Sequence, residues 1–305
     1  MAEPAPIEAL DIVDCHHHFW DLSGRDYPWL CDPVPVHFRY GDYSSIKKNY
    51  MPADYRRDVG PYRVVKTVHE EAWWDRTRPV AETRWLEKIA AVHGWPTACV
   101  GAAWPVRDDI EEVLAGHARS PLVRGIRNFP AAAASPGEAK RGASGSMDDP
   151  KWRGGYALLG RYGFSFDLQT PWWHMDAAAE LAADFPGTQI VIVHAGLPSD
   201  RSEEGLKGWR RALERVSVHP NVAIKISGLG LPNRRWTLAD QGPAIRDAIA
   251  IFGPARAMFA SNFPVDSIVG SFRTIYDGFR AAVADRPLAE QKMLFYDNAL
   301  RIYRL

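Results

Sequence analysis

The chain has 305 residues, of which 46% are hydrophobic and 24% are charged, the composition of an ordinary globular protein. Its 37 basic and 37 acidic residues give a formal net charge of zero, so the basic excess needed to bind nucleic acid or an anionic membrane surface is absent. A chain without net charge also repels itself little, which permits a homo-oligomer.

The first predicted strand, residues 10–18, begins apolar and ends polar, as a barrel strand does when its carboxyl end opens into an active site. Residues 19–61 are rich in Tyr, Trp, Pro and Asp, and we predict an ordered loop folded over the barrel mouth. Strands and helices then alternate. The further strands are predicted at residues 64–68, 98–103, 122–126, 164–168, 189–193, 222–226 and 257–260, and the helices at 79–92, 108–117, 151–162, 175–184, 206–216, 241–252, 271–283 and 288–303. Residues 131–150, rich in Ala, Gly, Ser and Pro, are predicted to be loop.

Eight strand–helix alternations predict a parallel sheet with crossover helices. This number favours a closed (β/α)8 barrel over an open doubly wound sheet. We expect residues 1–305 to form one such domain, with its site at the C-terminal ends of the strands. No Gly-x-Gly-x-x-Gly motif follows the first strand, so the main signal of a dinucleotide-binding fold is missing.

A His-x-His pair, His16 and His18, ends the first strand. Residues two apart on a strand face the same side, so these imidazoles are predicted to point together and His17 to point away. Two imidazoles at a barrel mouth form half of a site for a divalent metal ion, and zinc and manganese suit them about equally. The alternative is a polar strand end with three solvated histidines.

Short motifs follow one another along nearly the whole chain. They are Asp14-x-His16-x-His18-x-Trp20, Tyr27-Pro28-Trp29-Leu30, Glu71-Ala72, Glu82-Thr83-Arg84-Trp85-Leu86, Gly125-Ile126-Arg127, Asp167-Leu168-Gln169, Val193-His194-Ala195-Gly196-x-Pro198, Lys225-x-Ser227-Gly228-Leu229, Ser261-Asn262-Phe263-Pro264 and Asn298-Ala299-x-Arg301-x-Tyr303. This series resembles the amidohydrolase superfamily, in its amidohydrolase-related branch. It is most similar to lactonases of the L-fuconolactonase, pyrone-dicarboxylate lactonase and sulfomuconolactone hydrolase types. The resemblance implies the same barrel and the hydrolysis of a lactone.

The resemblance places a functional histidine at the end of the sixth strand, where His194 stands. It would serve as a third metal ligand or as a neutral imidazole that polarises the substrate carbonyl. The alternative is a cap of the following helix. Arg127 ends the fourth strand, and its guanidinium suits a carboxylate or a developing oxyanion, although a structural role is equally well supported.

Glu70 and Glu71 end the second strand, and because they are adjacent, only one is expected to face the barrel axis. The resemblance places Glu71 inward, where its carboxylate would ligate a metal ion or orient a histidine. The alternative is a surface acid pair. His69 has the same predicted parity as Glu71 and is a candidate for substrate binding.

Gln169, Trp172, Trp173 and His174 lie beyond the fifth strand. We predict that Gln169, Trp173 and His174 contact the substrate, because tryptophans can wall an apolar pocket for a ring-shaped ligand. The alternative is that these residues pack between loops.

The eighth strand departs from the superfamily pattern. Its end normally carries an aspartate that binds metal and takes a proton from the attacking water. Asn262 stands at this position, and its amide accepts no proton near neutral pH. Asp266, four residues on, is the candidate catalytic base, with Glu71 as a second candidate, and Asn262 is a candidate for substrate binding.

These residues favour a hydrolase that opens a lactone ring by water attack on a polarised carbonyl, with or without a divalent ion. One alternative is a metal-dependent, non-oxidative decarboxylase of an aromatic or muconate-like acid. Gln169 and Asn262 count against it, since related decarboxylases carry His and Asp there. Another alternative is a barrel that binds a small acid or sugar without turnover, which only Asn262 supports.

Cys15, Cys31 and Cys99 form neither a disulfide framework nor a CxxC zinc motif. The N-terminal residues lack the apolar run of a signal peptide, and no segment reaches the roughly 18 apolar residues of a membrane span. We therefore expect a cytoplasmic enzyme that acts on a small molecule.

Overall fold

The computed structural model describes residues 10–305. Eight parallel strands form one sheet in sequence order, each paired with the next. The strands are β1 (Ile12–His17), β2 (Val64–Glu70), β3 (Ala98–Ala102), β4 (Val123–Asn128), β5 (Ser165–Leu168), β6 (Ile190–Ile192), β7 (Val222–Ile226) and β8 (Ala257–Phe259). Helices lie between consecutive strands, which confirms the predicted (β/α)8 barrel.

The helices largely follow the predicted order. They are α1 (Pro28–Cys31), α2 (Pro52–Val59), α3 (Ala81–His93), α4 (Ile110–Ala118), α5 (Pro150–Ala157), α6 (Leu159–Tyr162), α7 (Met175–Asp184), α8 (Glu203–Ser217), α9 (Leu238–Phe252), α10 (Phe272–Ala282), α11 (Leu288–Lys292) and α12 (Asn298–Tyr303). A π-helical turn, Met293–Asp297, joins the last two. Across the described residues, none of these helices has the length and apolar character needed to cross a membrane.

Residues 19–61, predicted to be loop throughout, contain the helix α2. Pro52 occupies its first turn, Met51 N donates to Asp54 Oδ2 over 3.0 Å, and Gly60 follows its last residue with φ at 59°. Proline at the start and glycine after the end are sequence signals of a helix, but the irregular composition around them masked these signals. The remainder of the segment is ordered around buried aromatic side chains, as its composition predicted. They include Trp20, Tyr27, Trp29, Tyr40 and Tyr43.

The barrel closes between β1 and the residues that follow β8. Asn262 N donates to His16 O over 2.8 Å, and His18 N donates to Phe263 O over 2.7 Å. These two backbone bonds continue the sheet across the seam. They therefore bring the end of β1 directly beside the segment of Asn262.

An apolar core fills the barrel interior. It consists of Val13, Cys15, Val68, Ala98, Val100, Val191, Ala223, Met258 and Ala260 from the strands or their ends, with Ala299, Ile302 and Tyr303 from α12. Three fully buried charged residues, Lys225, Glu70 and Asp167, interrupt this apolar filling. A charged group in a barrel interior is costly unless it is paired, and Lys225 pairs with both acids.

The helix α5 offers a test of the packing. A Cβ added at Gly155 would lie 2.1 Å from Pro105 O, whereas one added at the exposed Gly154 would meet nothing within 4 Å. We expect Gly155→Ala to lower the free energy of unfolding by about 1–3 kcal/mol, because backbone must move to admit the methyl group. Gly154→Ala should raise it by roughly 0.5–1 kcal/mol, the usual gain from alanine in a helix.

Urea unfolding of both variants checks this prediction. Gly154→Ala is the matched control, since it changes the same residue type on the same helix. Equal stabilisation by the two substitutions would contradict the close contact between α5 and the segment of Pro105.

Candidate active site

A β-bulge in β1 sets the direction of its histidines. Between Asp14 and His17, β1 has one residue more than the paired segment of β2. The extra residue shifts the alternation, so that His16 and His18 face the same side as Cys15 before them. The ring centroids of His16 and His18 lie 5.0 Å apart. His17 faces the other way, 4.8 Å from the Tyr55 ring. The structure thus has the relative directions that the His-x-His spacing predicted.

A cavity of about 260 Å³ opens beside His18. The segment 19–61 supplies aromatic walls and one arginine, Arg39. The strand ends supply polar groups, which are His18, Glu71, Arg127, Gln169, His194 and Asn262. Six of the residues singled out from the sequence therefore line one cavity at the C-terminal ends of the strands, where (β/α)8 barrels carry their active sites.

His18 faces Asn262 across the barrel seam. Its Nδ1 lies 2.8 Å from Glu70 O, and because a carbonyl only accepts, Nδ1 carries the proton and Nε2 the lone pair. That Nε2 lies 3.3 Å from Asn262 Oδ1, while Asn262 Nδ2 donates to Asp266 Oδ1 over 2.6 Å. Burial, followed by the charge of Arg127, holds the pKa of His18 well below its usual value, so the ring is neutral. Two acceptor atoms therefore face each other, and a donor or a cation that contacts both would lie to one side of the line that joins them.

His194 stands in a left-handed turn after β6. His194, Ala195 and Gly196 have φ of 54°, 52° and 69°. Non-glycine residues rarely adopt this conformation, and strain of this kind is concentrated at functional sites. The turn places the His194 ring 4.7 Å from that of His16, with its Nδ1 2.9 Å from Ser227 Oγ. Burial, followed by the charge of Arg39, holds the pKa of His194 well below its usual value.

Arg127 and Glu71 are engaged with each other and with their neighbours. Arg127 Nη1 donates to Glu71 O over 3.0 Å and lies 3.5 Å from Glu71 Oε1, and Nη2 donates to Gln169 Oε1. The other carboxylate oxygen of Glu71 accepts from Trp73 N over 2.9 Å. The Glu71 carboxylate is therefore held on the cavity wall by a guanidinium and a backbone amide.

Glu70 is the acid that lies near His16, and the expectation that only one of Glu70 and Glu71 faces inward was wrong. Glu70 Oε2 lies 3.7 Å from His16 Nδ1, in the barrel interior. Glu71 follows the last residue of β2 and is free of its alternation, so it reaches the cavity wall as well. Val68, two residues earlier and apolar, was the sequence signal that Glu70 points inward.

The structure does not bring His69 into the cavity. Alternation along β2 turns its ring away from the interior, against the rings of His17 and Phe19. Its Nε2 lies 3.2 Å from Phe19 O, and burial lowers its pKa to about 3. The predicted inward parity of His69 was wrong because it was counted from Glu71, which lies beyond the end of β2 and outside its alternation.

Asp266 lies behind the cavity wall rather than on it. Its Oδ1 accepts from Asn262 Nδ2 and, over 2.8 Å, from Tyr40 Oη. Burial raises the pKa of Asp266 to about 6, although Arg39 opposes the shift. Its carboxylate thus contacts the residue that faces His18, and Asp266 reaches the site through Asn262.

Trp173 and His174 lie at a different cavity. They follow Pro171 in a short 3₁₀ turn that directs them toward residues 131–150. Trp173 Nε1 donates to Ala133 O over 3.0 Å, and His174 Nε2 accepts from Ala133 N over 2.9 Å. The structure therefore does not place them with the other predicted substrate contacts, and the two side chains bind the backbone of a neighbouring loop.

An interior ion cluster, Lys225, Glu70 and Asp167, lies beneath the histidines. Lys225 Nζ is 2.8 Å from Glu70 Oε2 and 2.8 Å from Asp167 Oδ2, and Tyr303 Oη donates to Asp167 Oδ2 over 2.5 Å. Burial and the charge of Asp167 raise the pKa of Glu70 to about 7. The pKa of Lys225 is also raised, because its two carboxylate partners outweigh its burial. The cluster is a single charge-paired unit.

The histidines can be tested for their fit to a metal ion. Both ring nitrogens of His16 lack a hydrogen-bond partner, and His18 Nε2 carries a lone pair. Among residues 10–305, however, no three His, Cys, Asp or Glu side chains are grouped so as to hold a metal ion. The pair of neutral imidazoles fits a metal ion, whereas Glu71 does not complete the predicted ligand set with them.

Comparison with known proteins assigns the chain to a family. The amidohydrolase family model matches residues 13–305. The chain belongs to the amidohydrolase family. Membership makes it a hydrolase and confirms the resemblance seen in its motifs.

Three similar proteins extend over almost the whole chain. The uncharacterized protein y4mH of Sinorhizobium fredii is 40% identical over 96% of this amidohydrolase and 98% of its own length. An L-fucono-1,5-lactonase of Burkholderia ambifaria is 28% identical, over 96% and 95%. The crystal structure of an amidohydrolase from Burkholderia multivorans with bound zinc superposes with a TM-score of 0.78 at 24% identity, over 96% and 99%.

Substitution of Lys225 tests the pairing within the interior ion cluster of this amidohydrolase. Lys225→Met leaves Glu70 and Asp167 buried without their cation, and we expect the free energy of unfolding at pH 8 to fall by about 3–5 kcal/mol. Losing the ammonium raises the pKa of Glu70 further, so the folded state binds a proton more tightly than the unfolded chain. The deficit should therefore shrink as the pH falls toward 5.5.

Urea unfolding at the two pH values measures this effect. Lys66→Met is the matched control, because Lys66 is a partly exposed lysine on β2. A deficit that did not change with pH, or one no larger than that of Lys66→Met, would refute the assignment of Lys225 as the counter-ion of both acids.

Proposed function

We propose that this amidohydrolase hydrolyses a lactone to a hydroxy acid. The observation that carries the proposal is the pair of facing acceptors, His18 Nε2 and Asn262 Oδ1, 3.3 Å apart on the wall of the cavity. A water molecule that donates a hydrogen to each of them presents its lone pair to the cavity. The L-fucono-1,5-lactonase relative supports the choice of a lactone as the ester.

In this proposal, His18 is the general base and Asn262 orients the water. The water oxygen forms a bond to the lactone carbonyl carbon while one of its protons passes to His18 Nε2. The bond between that carbon and the ring oxygen then breaks, and the ring oxygen takes the proton from His18. The product carries a carboxylic acid and a hydroxyl group, and ionisation of the acid releases one proton to solution.

The developing oxyanion needs stabilisation on the opposite side. His194 supplies it as a neutral imidazole when the Ser227 hydroxyl donates to Nδ1, because Nε2 then carries a proton toward the cavity. Arg127 adds a positive charge that is almost completely removed from solvent. Of the three residues predicted as catalytic, His194 and Arg127 keep direct roles, and Asp266 becomes a positioning residue for Asn262.

A divalent ion would be held by the free nitrogens of His16 and His18, and when bound it would supply Lewis-acid polarisation of the carbonyl. The zinc in the structure of the Burkholderia multivorans amidohydrolase supports this assignment. An ion on His18 Nε2 would occupy the lone pair that the general base uses, so the steps described for His18, Asn262, His194 and Arg127 are those of the ion-free site.

The proposal predicts acid release from a panel of lactones, followed with a pH indicator. We expect His18→Gln and His194→Ala each to lower kcat/KM by about 10²- to 10⁴-fold, the usual contribution of a general base or an oxyanion donor. His93→Ala, at the end of α3, is the control and should retain wild-type turnover. Decarboxylation of an aromatic acid by the wild type, without acid release from any lactone, would overturn the proposal.

A pH profile tests the role of Asp266. Ionised Asp266 accepts a stronger, charge-assisted bond from Asn262 Nδ2 than the protonated acid does, and its pKa is about 6. We therefore expect kcat/KM of the wild type to fall as the pH drops through about 6, toward a lower level at which Asn262 is held less firmly. Asp266→Asn should be slower and should lack this acidic limb.

Asp285→Asn, at an exposed acid, is the matched control and should keep the limb. His18 and His194 do not produce it, because their pKa values lie well below the usual value for histidine. An acidic limb that persists unchanged in Asp266→Asn would rule Asp266 out as its origin.

A further inference from the structure

Arg39 is a cavity cation of a different kind from Arg127. Arg127 lies within 4.0 Å of two carboxylates, those of Glu70 and Glu71. Arg39 has no acidic partner within that distance in the described part of the chain. It also lines both the cavity and the adjoining groove of residues 197–199 and 228–230, so its guanidinium stands at the boundary between the two. An unpaired guanidinium at a cavity mouth is a ready site for an anionic group.

The position of this guanidinium is defined by packing. Its central carbon lies 4.6 Å from the centre of the Tyr40 ring, a cation–π distance, and Tyr40 is itself buried. A Cβ added at Gly228, where φ is 59°, would come within 2.4 Å of both Arg39 Nη2 and His194 Nδ1. The absence of a side chain at Gly228 therefore allows the guanidinium and the imidazole to flank the same backbone atom. An anion bound by Arg39 would lie beside His194.

The aromatic lining of the cavity and the shape of the guanidinium indicate which kind of anion fits. Four of the lining residues are aromatic rings, Trp20, Trp29, Phe38 and Trp73, which lie beside the polar groups of the strand ends. These rings suit the face of a small ring-shaped ligand. The planar fork of the Arg39 guanidinium matches the two oxygens of a carboxylate.

We propose that Arg39 binds a carboxylate carried by the substrate, so that the substrate class is a lactone with a free acid group. This inference rests on the proposed lactone hydrolysis. Arg39 is partly exposed on the segment 19–61, while Arg127 lies buried at a strand end. In this proposal, the partly exposed Arg39 anchors the charged group of the substrate, and the buried Arg127 acts on the reacting carbonyl.

Kinetics with two matched lactones test the carboxylate site. The wild type should hydrolyse γ-carboxy-γ-butyrolactone with a kcat/KM at least about tenfold above that for γ-hydroxymethyl-γ-butyrolactone, the size expected of a charge-assisted hydrogen bond. In Arg39→Gln assayed at pH 8, well above the range in which Asp266 titrates, KM for the carboxy lactone should rise about 10- to 100-fold with little change in kcat, and the preference should disappear. Arg39→Lys, which keeps the charge and loses the fork, should fall between the two. Arg235→Gln, at an exposed arginine, is the control and should match the wild type.

Binding without turnover separates this inference from the proposed function. Tetrahydrofuroate carries the ring and the carboxylate but has no ester bond, and its affinity can be measured by calorimetry. If no lactone is hydrolysed, binding of tetrahydrofuroate to the wild type and not to Arg39→Gln would still support the carboxylate site. If lactones are hydrolysed, equal affinities for tetrahydrofuroate would overturn it. A fall in kcat for both lactones in Arg39→Gln, with KM unchanged, would also overturn it and assign Arg39 to the oxyanion.

Discussion

The hydrogen bonds that close the barrel seam position the chemistry of this protein. Asp14 accepts from Ser261 N and Ser261 Oγ over 2.8 and 2.6 Å, and the backbone bonds of His16 and His18 to the next two residues follow directly. Without this closure, the first and last strands of the sheet would be edges, and their side chains would have no fixed relation. With it, His18 and Asn262, 244 positions apart in sequence, lie 3.3 Å apart.

Charge beneath and around the cavity keeps the imidazoles neutral. Burial is the largest cause of the lowered pKa of His16, and the charge of Lys225 beneath it lowers that pKa further. His194 is affected in the same way by burial and by Arg39 at the mouth. A neutral imidazole can accept a proton through one nitrogen or donate from the other, so the same electrostatic environment permits His18 to act as a base and His194 as a donor. The paired acids of the interior cluster are what allow Lys225 to remain charged there.

Sequence reasoning succeeded where a property is local and periodic. Eight alternations predicted the barrel, and the spacing of His16 and His18 predicted that their rings meet. It failed at the end of β2, because Glu71 lies beyond the last strand residue and outside the alternation that places His69 and Glu70. His69 and Glu70 were misplaced for this reason. Arg39 was missed because its significance lies in the absence of an acidic partner, and partners are set by contacts distant in sequence.

The contacts of Asn262 explain why an asparagine stands just beyond the end of β8. Asp266 Oδ1 lies 2.6 Å from Asn262 Nδ2, and both residues are buried. A carboxylate at position 262 would stand against that of Asp266, and two buried like charges at this distance cannot both ionise. The amide of Asn262 removes this repulsion. Its Nδ2 donates to Asp266, and this bond directs Asn262 Oδ1 at His18. Asn262 and Asp266 thus form one unit in which the acid sets the orientation of the amide, and in the proposed mechanism the proton-accepting role passes to the imidazole across the seam.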